Sequence, residues 1–275
     1  MRIQSTKVMV LVAMMVLLIS CAAKEPPAQV KGLTQVEEVK KNTLRIGITP
    51  DNAPMIFKLN GKIAGVEADL ARKLAKELDR PGEFIALNWE DQIPALMKGI
   101  IDIIMSGMTI TQERKVRIAF TERYMKSGLL TLMRTGDAAT YDSLEKIKAT
   151  TSNVGVIADT TGESFARKNF PQARVVVLTQ PRDAHLSLKN RRIDLFVHDA
   201  PSVIWLVSEN ESELKGYWKL LNEESLGWGI RQDDKDLLAQ VNSILIRWKK
   251  DGTLKEVLLR WLPYLKRKDL SGMIG

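Results

Sequence analysis

Two kinds of hydrophobic pattern alternate along the chain from Leu44 onward. Stretches in which apolar residues recur every three or four positions predict helices; the clearest is VEADLARKLAKEL (66–78), and others follow from Gly162 and Pro181. This alternation predicts an α/β fold in which helices cover both faces of mostly parallel sheets. Short runs of consecutive apolar residues predict the buried strands: LRIGI (44–48), IDIIM (101–105), NVGVI (153–157), RVVVL (174–178) and IDLFV (193–197).

Two of these strands lie in segments that resemble each other. LMKGIIDIIMSG (96–107) and LKNRRIDLFVHD (188–199) both pass from a helix end through Ile-Asp into an apolar strand, and both then release polar residues. The carboxyl ends of such strands are where ligands bind in open α/β sheets. The repeat predicts two similarly wound lobes, one offering Arg114 and the other Asp199.

The C-terminal part of the domain is predicted to return to the first lobe. GWGIRQ (227–232) reads as a returning strand, and TLKEVLLRWLPYL as the final helix. We therefore predict a first lobe built from 44–134 plus 226–266, a second lobe from 135–225, two crossovers that form a hinge, and a tail at 267–275. The helix that follows Asp233 ends at Gly252 and has an apolar stripe of Leu237, Leu238, Val241, Ile244, Leu245 and Trp248.

The N-terminus predicts export. Arg2 and Lys7 precede an apolar run from Val8 to Ile19 that is too short to span a bilayer. Cys21 is the only cysteine and follows Leu-Ile-Ser, an arrangement that resembles a bacterial lipoprotein box. We predict a signal peptide over 1–20, lipidation of Cys21, and a tether over 21–43. The alternative for Cys21 is a stray thiol behind a plain signal peptide.

The net charge and the histidines exclude several classes of function. The formal charge is +8, and loss of Arg2 and Lys7 with the leader lowers it to +6. Because the remaining Lys and Arg are scattered over helical faces, we expect a solvated surface or weak attraction to anionic headgroups, with no nucleic acid as partner. His185 and His198 are the only histidines and lie far from any ligand pattern, so no metal and no cofactor are expected.

Arg114 and Asp199 carry the candidate chemistry. Thr111 predicts a helix start that places Arg114 in the first turn, where its guanidinium matches a carboxylate. The alternative is a surface ion pair with Glu113 or a neighbouring acid. Asp199 ends an apolar strand, where a carboxylate is costly without a cation; the alternative is a helix cap for APSVIWLV. If both face one cleft, the complementary solute is a zwitterion.

The strings GKIAGVEADLARKLAKEL and WEDQIPALMKGIIDIIMSGMTITQERKVRIAFTERYMKSG resemble the bacterial family 3 extracellular solute-binding proteins, the amino-acid-binding components of ABC transporters. The resemblance runs from about Leu44 to about Leu262, and TIT-x-x-R is its most distinctive part. It implies a two-lobed, type 2 periplasmic-binding-protein fold and a monomer.

The resemblance also implies roles for individual residues. The acid in VHDAP matches the family's partner for the ligand ammonium, and DTTGES (159–164) resembles the family's GTT element, with Asp159 where glycine is usual. Asn52 and Met55 stand where an aromatic residue commonly covers the ligand. The implied binding residues are Ser106, Gly107 and Asp199 for the ammonium, Thr109, Arg114, Thr160 and Thr161 for the carboxylate, and Trp89, Ile157 and Asn52 around the side chain.

We therefore expect a non-enzymatic, lipid-anchored receptor in the periplasm or on the outer face of the membrane. It would capture an amino acid and deliver it to an ABC transporter permease. One alternative is an enzyme on the same fold, similar to cyclohexadienyl or arogenate dehydratases, with Asp159 or Glu163 as the acid. The other is an amino-acid sensor lipoprotein.

Overall fold

A computed structural model describes residues 42–266. The predicted signal peptide, Cys21 and the tail at 267–275 lie outside these residues. Within them, no helix is both long enough and apolar enough to span a membrane.

Most strands are short segments rich in β-branched and apolar residues, which favour a pleated, buried surface. In chain order they are β1 Leu44–Ile48, β2 Asp51–Asn52, β3 Ile56–Leu59, β4 Lys62–Ala64, β5 Gly82–Ala86, β6 Ile103–Ile104, β7 Ala119–Phe120, β8 Met125–Ser127, β9 Leu129–Arg134, β10 Asn153–Ile157, β11 Arg174–Leu178, β12 Leu195–Asp199, β13 Leu214–Tyr217, β14 Glu224–Leu226 and β15 Gly229–Ile230.

Most of the helices bury one apolar face in the core, whereas α3 has no buried residue. The α-helices are α1 Val66–Glu77, α2 Gln92–Met97, α3 Gln112–Lys115, α4 Leu144–Lys148, α5 Thr161–Asn169, α6 Asp183–Lys189, α7 Ala200–Glu209, α8 Lys235–Asp251 and α9 Thr253–Trp261. Short 3₁₀ turns occupy Trp89–Asp91, Thr135–Asp137 and Pro263–Lys266.

The two five-stranded sheets have the same topology. The first has the order β5-β1-β6-β15-β7 and the second β11-β10-β12-β9-β13. In each sheet three neighbouring strands are parallel, and the fourth position holds a strand that runs against its neighbours, β15 in the first and β9 in the second. Both antiparallel strands follow a crossover between the lobes. The predicted two-lobed α/β fold is confirmed.

The predicted C-terminal limit of the first segment of lobe 1, residue 134, is wrong because it includes one strand of the second sheet. We assigned Leu129–Arg134 to the first lobe, but β9 pairs with β12 and β13 in the second sheet. The crossover is β8, which pairs with the returning β14 from Glu224↔Ser127 to Leu226↔Met125. An apolar run such as LLTLM indicates burial but carries no local information about which sheet buries it.

The repeated Ile-Asp segments make equivalent contacts in the two lobes. The N–H of Asp102 donates to the Arg45 carbonyl, and that of Asp194 to the Asn153 carbonyl, both at 2.8 Å. Each carboxylate in turn accepts from the backbone N–H of the same partner, at 2.9 and 3.1 Å. The repeat predicted from the sequence is therefore a structural repeat.

The C-terminal helices pack on the core that includes β1 and α1. Leu237, Val241, Ile244, Leu245 and Trp248 are buried, and Leu238 is partly buried against the same core. Gly252 ends α8 in the left-handed conformation, with φ of 86°.

Candidate functional site

The lobes meet in a cleft beside the two crossovers. It opens into a groove of about 2040 Å³ lined by residues of both lobes and of β8 and β14. Half of the predicted binding residues line this groove: Trp89, Thr109, Arg114, Thr160 and Thr161. The others do not line it: Asn52, Ser106, Gly107, Ile157 and Asp199.

Arg114 lies in the first turn of α3, as its sequence context predicts. The Thr111 hydroxyl caps the helix by accepting from the Arg114 N–H at 3.2 Å. The guanidinium stacks over Trp89, 5.2 Å from the ring centre, and donates to the Thr109 carbonyl at 2.8 Å and to the Asp159 carbonyl at 3.3 Å. Because Asp159 belongs to the second lobe, Arg114 contacts both lobes.

The guanidinium has no ion-pair partner in the described part of the chain, where no acidic oxygen lies within 4.0 Å of it. The alternative of a surface pair with Glu113 is therefore not realised. Burial lowers the pKa of Arg114, while the charges of Asp199 and Glu224 raise it. An arginine stays protonated in either case.

Asp199 ends β12 and occupies the N-cap position of α7, but its side chain makes no capping hydrogen bond. The helix-cap alternative is therefore not realised either. Burial raises the pKa of Asp199 to about 6, and the charge of Arg114 lowers it. The two residues are thus electrostatically coupled across the cleft without forming a salt bridge.

Glu224 is a cleft residue that the sequence analysis missed. Its carboxylate accepts from the Thr109 hydroxyl at 2.8 Å and from the Asn222 amide at 2.9 Å. Burial and the nearby charge of Asp199 raise the pKa of Glu224, and hydrogen bonds from Asn222, Thr109 and Thr161 oppose this. The polar run NEES (222–225) reads as a loop, so no pattern distinguished this acid from a solvated one.

The loop after β6 holds Ser106 and Gly107. The Ser106 hydroxyl accepts from the Thr49 N–H at 2.9 Å. Gly107 has a left-handed φ of 68° and donates its N–H to the buried Glu67 carboxylate at 2.8 Å. Glu67 was missed because an acid in the first turn of a helix is ordinarily a solvated charge that favours the helix dipole.

In the second lobe, Thr160 caps α5, which begins one residue before the predicted Gly162. Its hydroxyl accepts from the Glu163 N–H at 3.3 Å and donates to the Ile157 carbonyl at 2.7 Å. The preceding Asp159 has a left-handed φ of 57°, which explains why glycine is usual at this position in the similar family. The Asp159 carbonyl accepts from the Trp89 indole N–H at 3.0 Å.

A second set of contacts joins the lobes at Asn52. The Ser202 hydroxyl of α7 donates to the Asn52 side-chain carbonyl, and the rings of Phe57 and Trp205 lie 5.6 Å apart. Burial raises the pKa of the neighbouring Asp51 to about 6. Met55, which stands in the family's aromatic position, is fully buried in the core.

The remaining candidates for chemistry have other environments. Within residues 42–266 no three His, Cys, Asp or Glu side chains are grouped so as to hold a metal ion. Burial lowers the pKa of His198 to about 4, so this imidazole is neutral, and His185 contacts Glu213 at 2.5 Å. The Glu163 carboxylate accepts from Arg167 at 2.8 Å and from the Asp159 N–H at 2.8 Å.

Comparison with known proteins identifies relatives over nearly the whole described chain. Residues 44–264 match the profile of the bacterial extracellular solute-binding proteins, family 3. The chain is 27% identical over 230 residues to the L-cystine-binding protein TcyJ of Escherichia coli K12, covering 83% of this chain and 85% of the relative.

Solved structures share the fold. The ancestral amino acid-binding protein AncCDT-1, a precursor of cyclohexadienyl dehydratase, matches with a TM-score of 0.76 and 35% identity, covering 83% of this chain and 99% of its own. A putative ABC transporter binding component from Wolinella succinogenes, complexed with lysine, matches with a TM-score of 0.77 and 28% identity, covering 82% and 100%.

Proposed function

Because the chain belongs to family 3 of the bacterial extracellular solute-binding proteins, we propose that it captures an amino acid between its two lobes and delivers it to the permease of an ABC transporter. The family establishes the coarser function, extracytoplasmic binding of a small solute. The residues that bind the solute, its delivery and the anchoring of the chain are our proposals.

The observation that carries the proposal is the relation of Arg114 to Asp199. One is a cation of the first lobe and the other an acid of the second, and each perturbs the pKa of the other without an ion pair between them. An amino acid bound between them would give its carboxylate to Arg114 and its ammonium to Asp199. Each contact at about 4 Å would contribute roughly 4 kcal/mol of Coulomb energy at an effective dielectric near 20, before desolvation is subtracted.

The proposed site contains the residues implied by the family resemblance. Ser106, Gly107 and Asp199 would meet the ammonium, and Arg114 and the threonine groups of both lobes the carboxylate. The hydroxyl of Thr109 already donates to Glu224, so ligand binding at this position requires either its backbone groups or a rearrangement of Glu224. Asn52, Trp89 and Ile157 would surround the ligand side chain.

Anchoring and partners complete the proposal. Lipidation of Cys21 would hold the monomeric domain near the membrane at the end of a tether of about 20 residues, with a root-mean-square reach of roughly 25 Å. The two crossovers, β8 and β14, would act as the hinge. A ligand that bridges both charges favours the closed lobes, because only that arrangement satisfies both.

A thermal-shift screen against the common amino acids tests the function. A ligand at a hundred times its Kd adds about 2.7 kcal/mol to the free energy of unfolding, which corresponds to roughly 5–10 °C in Tm for a domain of this size. A chain that responds to no amino acid contradicts the proposal.

The site assignment is tested with Arg114→Ala. Removal of the guanidinium should weaken binding of the identified amino acid by about 3 kcal/mol, or about a hundredfold in Kd. The Tm of the unliganded chain should change little, because the side chain donates only to two backbone carbonyls. Arg117→Ala, an exposed arginine of the same groove, is the control and should keep the wild-type Kd. Unchanged affinity in Arg114→Ala removes the assignment.

The similarity to AncCDT-1 raises a second candidate function, a dehydratase reaction. It would need a carboxylic acid directed at the substrate ring. The Glu163 carboxylate is engaged by Arg167 and the Asp159 N–H, which favours a structural role for it. Incubation with prephenate or arogenate separates the two functions, since only the enzyme forms an aromatic product.

A further inference from the structure

Glu67 is a buried carboxylate directly behind the proposed ligand site. It lies in the first turn of α1 and has no exposed surface. One oxygen accepts from the Gly107 N–H at 2.8 Å and the Tyr124 hydroxyl at 2.7 Å, and the other from the Trp228 indole N–H at 2.8 Å. No cation of residues 42–266 pairs with it, so three neutral donors alone stabilise its charge.

The three donors come from the ligand loop and from both crossovers. Gly107 follows β6, Tyr124 immediately precedes β8, and Trp228 lies two residues after the end of β14. The Tyr124 and Trp228 rings stack with their centres 5.4 Å apart. A single carboxylate therefore fastens the first-lobe ends of both crossovers to the loop that holds Ser106 and Gly107.

Glu67 also fixes the direction of a carbonyl. In a planar trans peptide the C=O of one residue points opposite to the N–H of the next. Since the Gly107 N–H points to Glu67, the Ser106 carbonyl points away from it, and no donor within residues 42–266 occupies that oxygen. The Ser106 hydroxyl accepts from the Thr49 N–H, and no donor within residues 42–266 occupies the Gly107 carbonyl either. The two carbonyls of this loop are therefore open to a ligand.

We propose that Glu67 is a positioning residue, which holds the Ser106–Gly107 peptide so that the free carbonyls of this loop accept the ligand ammonium, and which links these acceptors to both crossovers. The inference rests on the proposed function, since it takes the ligand to be an amino acid bound at this loop.

The proposal makes binding depend on the ionisation of Glu67. An ionised carboxylate accepts all three hydrogen bonds, whereas a protonated one turns an oxygen into a donor and loses at least one of them. Burial raises the pKa of Glu67 to about 7, and the bonds from Tyr124, Gly107 and Trp228 oppose this. A bound ammonium favours the ionised form, so affinity should rise as the pH increases through 7, with release of protons.

Few other titratable groups face Glu67. Tyr124 has a pKa held well above 10 by burial and by Glu67 itself, and Asp199 of the second lobe also acts on Tyr124. Gly107 and Trp228 bring no charge, and Trp248 of α8 packs on Trp228 at 6.4 Å. Asp199 has a pKa near 6, so its titration falls at lower pH than that of Glu67.

The test is the pH profile of ligand affinity, measured with the amino acid found by the thermal-shift screen. Isothermal titration calorimetry from pH 5.5 to 8.5, in two buffers of different ionisation enthalpy, gives both Kd and the protons released. For the wild type we expect Kd to fall about two- to threefold between pH 6.5 and 8, because a single group with a pKa near 7 allows at most about fourfold over this range. Proton release should be largest near pH 7.

Three variants separate positioning from a merely structural role. Glu67→Gln should remove the change in Kd near pH 7 and leave only the change in Kd near pH 6, which belongs to Asp199. Tyr124→Phe removes one hydrogen bond that lowers the pKa of Glu67, so the change in Kd should move to higher pH. This variant tests the proposal if Glu67→Gln does not fold. Glu77→Gln, at the other end of α1 and paired with Arg247, should keep the wild-type profile.

Each outcome has a distinct meaning. A wild-type profile that is flat above pH 6.5, or one that neither Glu67→Gln nor Tyr124→Phe alters, overturns the role of Glu67 and leaves amino-acid binding intact. Absence of binding to every amino acid at every pH removes the proposed function and this inference together.

Discussion

At the scale of single residues, Arg114 and Asp199 bring opposite charges that are partly buried and not paired. Arg114 donates only to backbone carbonyls, and the Asp199 carboxylate accepts no hydrogen bond within residues 42–266. A buried charge without a partner costs free energy. The unliganded protein therefore carries an electrostatic cost that a zwitterion would relieve.

Asp199→Asn should stabilise the unliganded chain and weaken ligand binding. A raised carboxyl pKa means that folding favours the protonated form, so this group's stabilisation is full below about pH 4 and is lost as the pH rises through about 6. At pH 7.5 the neutral asparagine should raise the free energy of unfolding of the unliganded chain by up to about 3 kcal/mol. The same change should weaken ligand binding at least about a hundredfold. Urea denaturation and calorimetry measure the two effects.

Asp194→Asn is the matched control, because Asp194 accepts from Arg134 at 2.7 Å and from the Asn153 N–H at 3.1 Å. It should lower the free energy of unfolding. If Asp199→Asn instead destabilises the chain and keeps its affinity, Asp199 is a structural acid.

The residues that the sequence identified and those that it missed differ in how their roles arise. Arg114 and Asp199 follow apolar strands, and that local context is visible in the sequence. Glu67 and Glu224 acquire their roles from partners far away along the chain: 40, 57 and 161 residues for Glu67 and 115 for the contact of Glu224 with Thr109. No spacing within a single sequence encodes such pairs.

At the scale of elements, continuous apolar runs gave reliable strands. β1, β10 and β11 have the predicted limits. The short antiparallel sheet β2-β3-β4 and the edge strand β5 were not predicted, because their residues are largely exposed or partly buried and show no continuous apolar run. The sheet to which β9 belongs depends on the crossover before it, which is only three residues long.

The crossovers approach each other closely at Gly128. A Cβ atom there would lie 2.3 Å from the Asn222 carbonyl oxygen, so Gly128→Ala should force the chain segments apart and cost about 1–3 kcal/mol of stability. We also expect liganded Gly128→Ala to have a larger radius of gyration than the liganded wild type, measured by small-angle X-ray scattering. Gly136→Ala, where the added methyl meets nothing within 4 Å, should be neutral within about 0.5 kcal/mol. Equal behaviour of the two variants would contradict this account of the crossovers.

At the scale of the whole molecule, the lobes touch on two sides of the cleft. Trp89 and Arg114 meet the Asp159 carbonyl on one side, and Asn52 meets Ser202 on the other. These contacts hold the lobes together without a ligand. Ligand binding would then add to an existing preference, because a ligand shifts an equilibrium only by its difference in affinity for the two states.

Trp89→Phe tests this contribution. It keeps a ring beneath Arg114 but removes the indole N–H that donates to Asp159, a loss of about 1 kcal/mol. Kd should increase about fivefold, chiefly through faster dissociation measured by stopped-flow fluorescence. Trp218→Phe, an indole that is 54% exposed on the second lobe, is the control. An unchanged dissociation rate in Trp89→Phe would show that this contact does not hold the lobes together.

The shared topology of the sheets has a consequence for synthesis of the chain. The second sheet is built from consecutive residues, β9 to β13, so it can form as soon as they leave the ribosome. The first sheet lacks β15, which lies between β6 and β7, until the residues that follow β14 emerge. Until then the edge of β6 has no neighbour, and such an unpaired edge favours aggregation. The nascent protein thus completes its inserted half first, and a strand synthesised later, β15, protects the other.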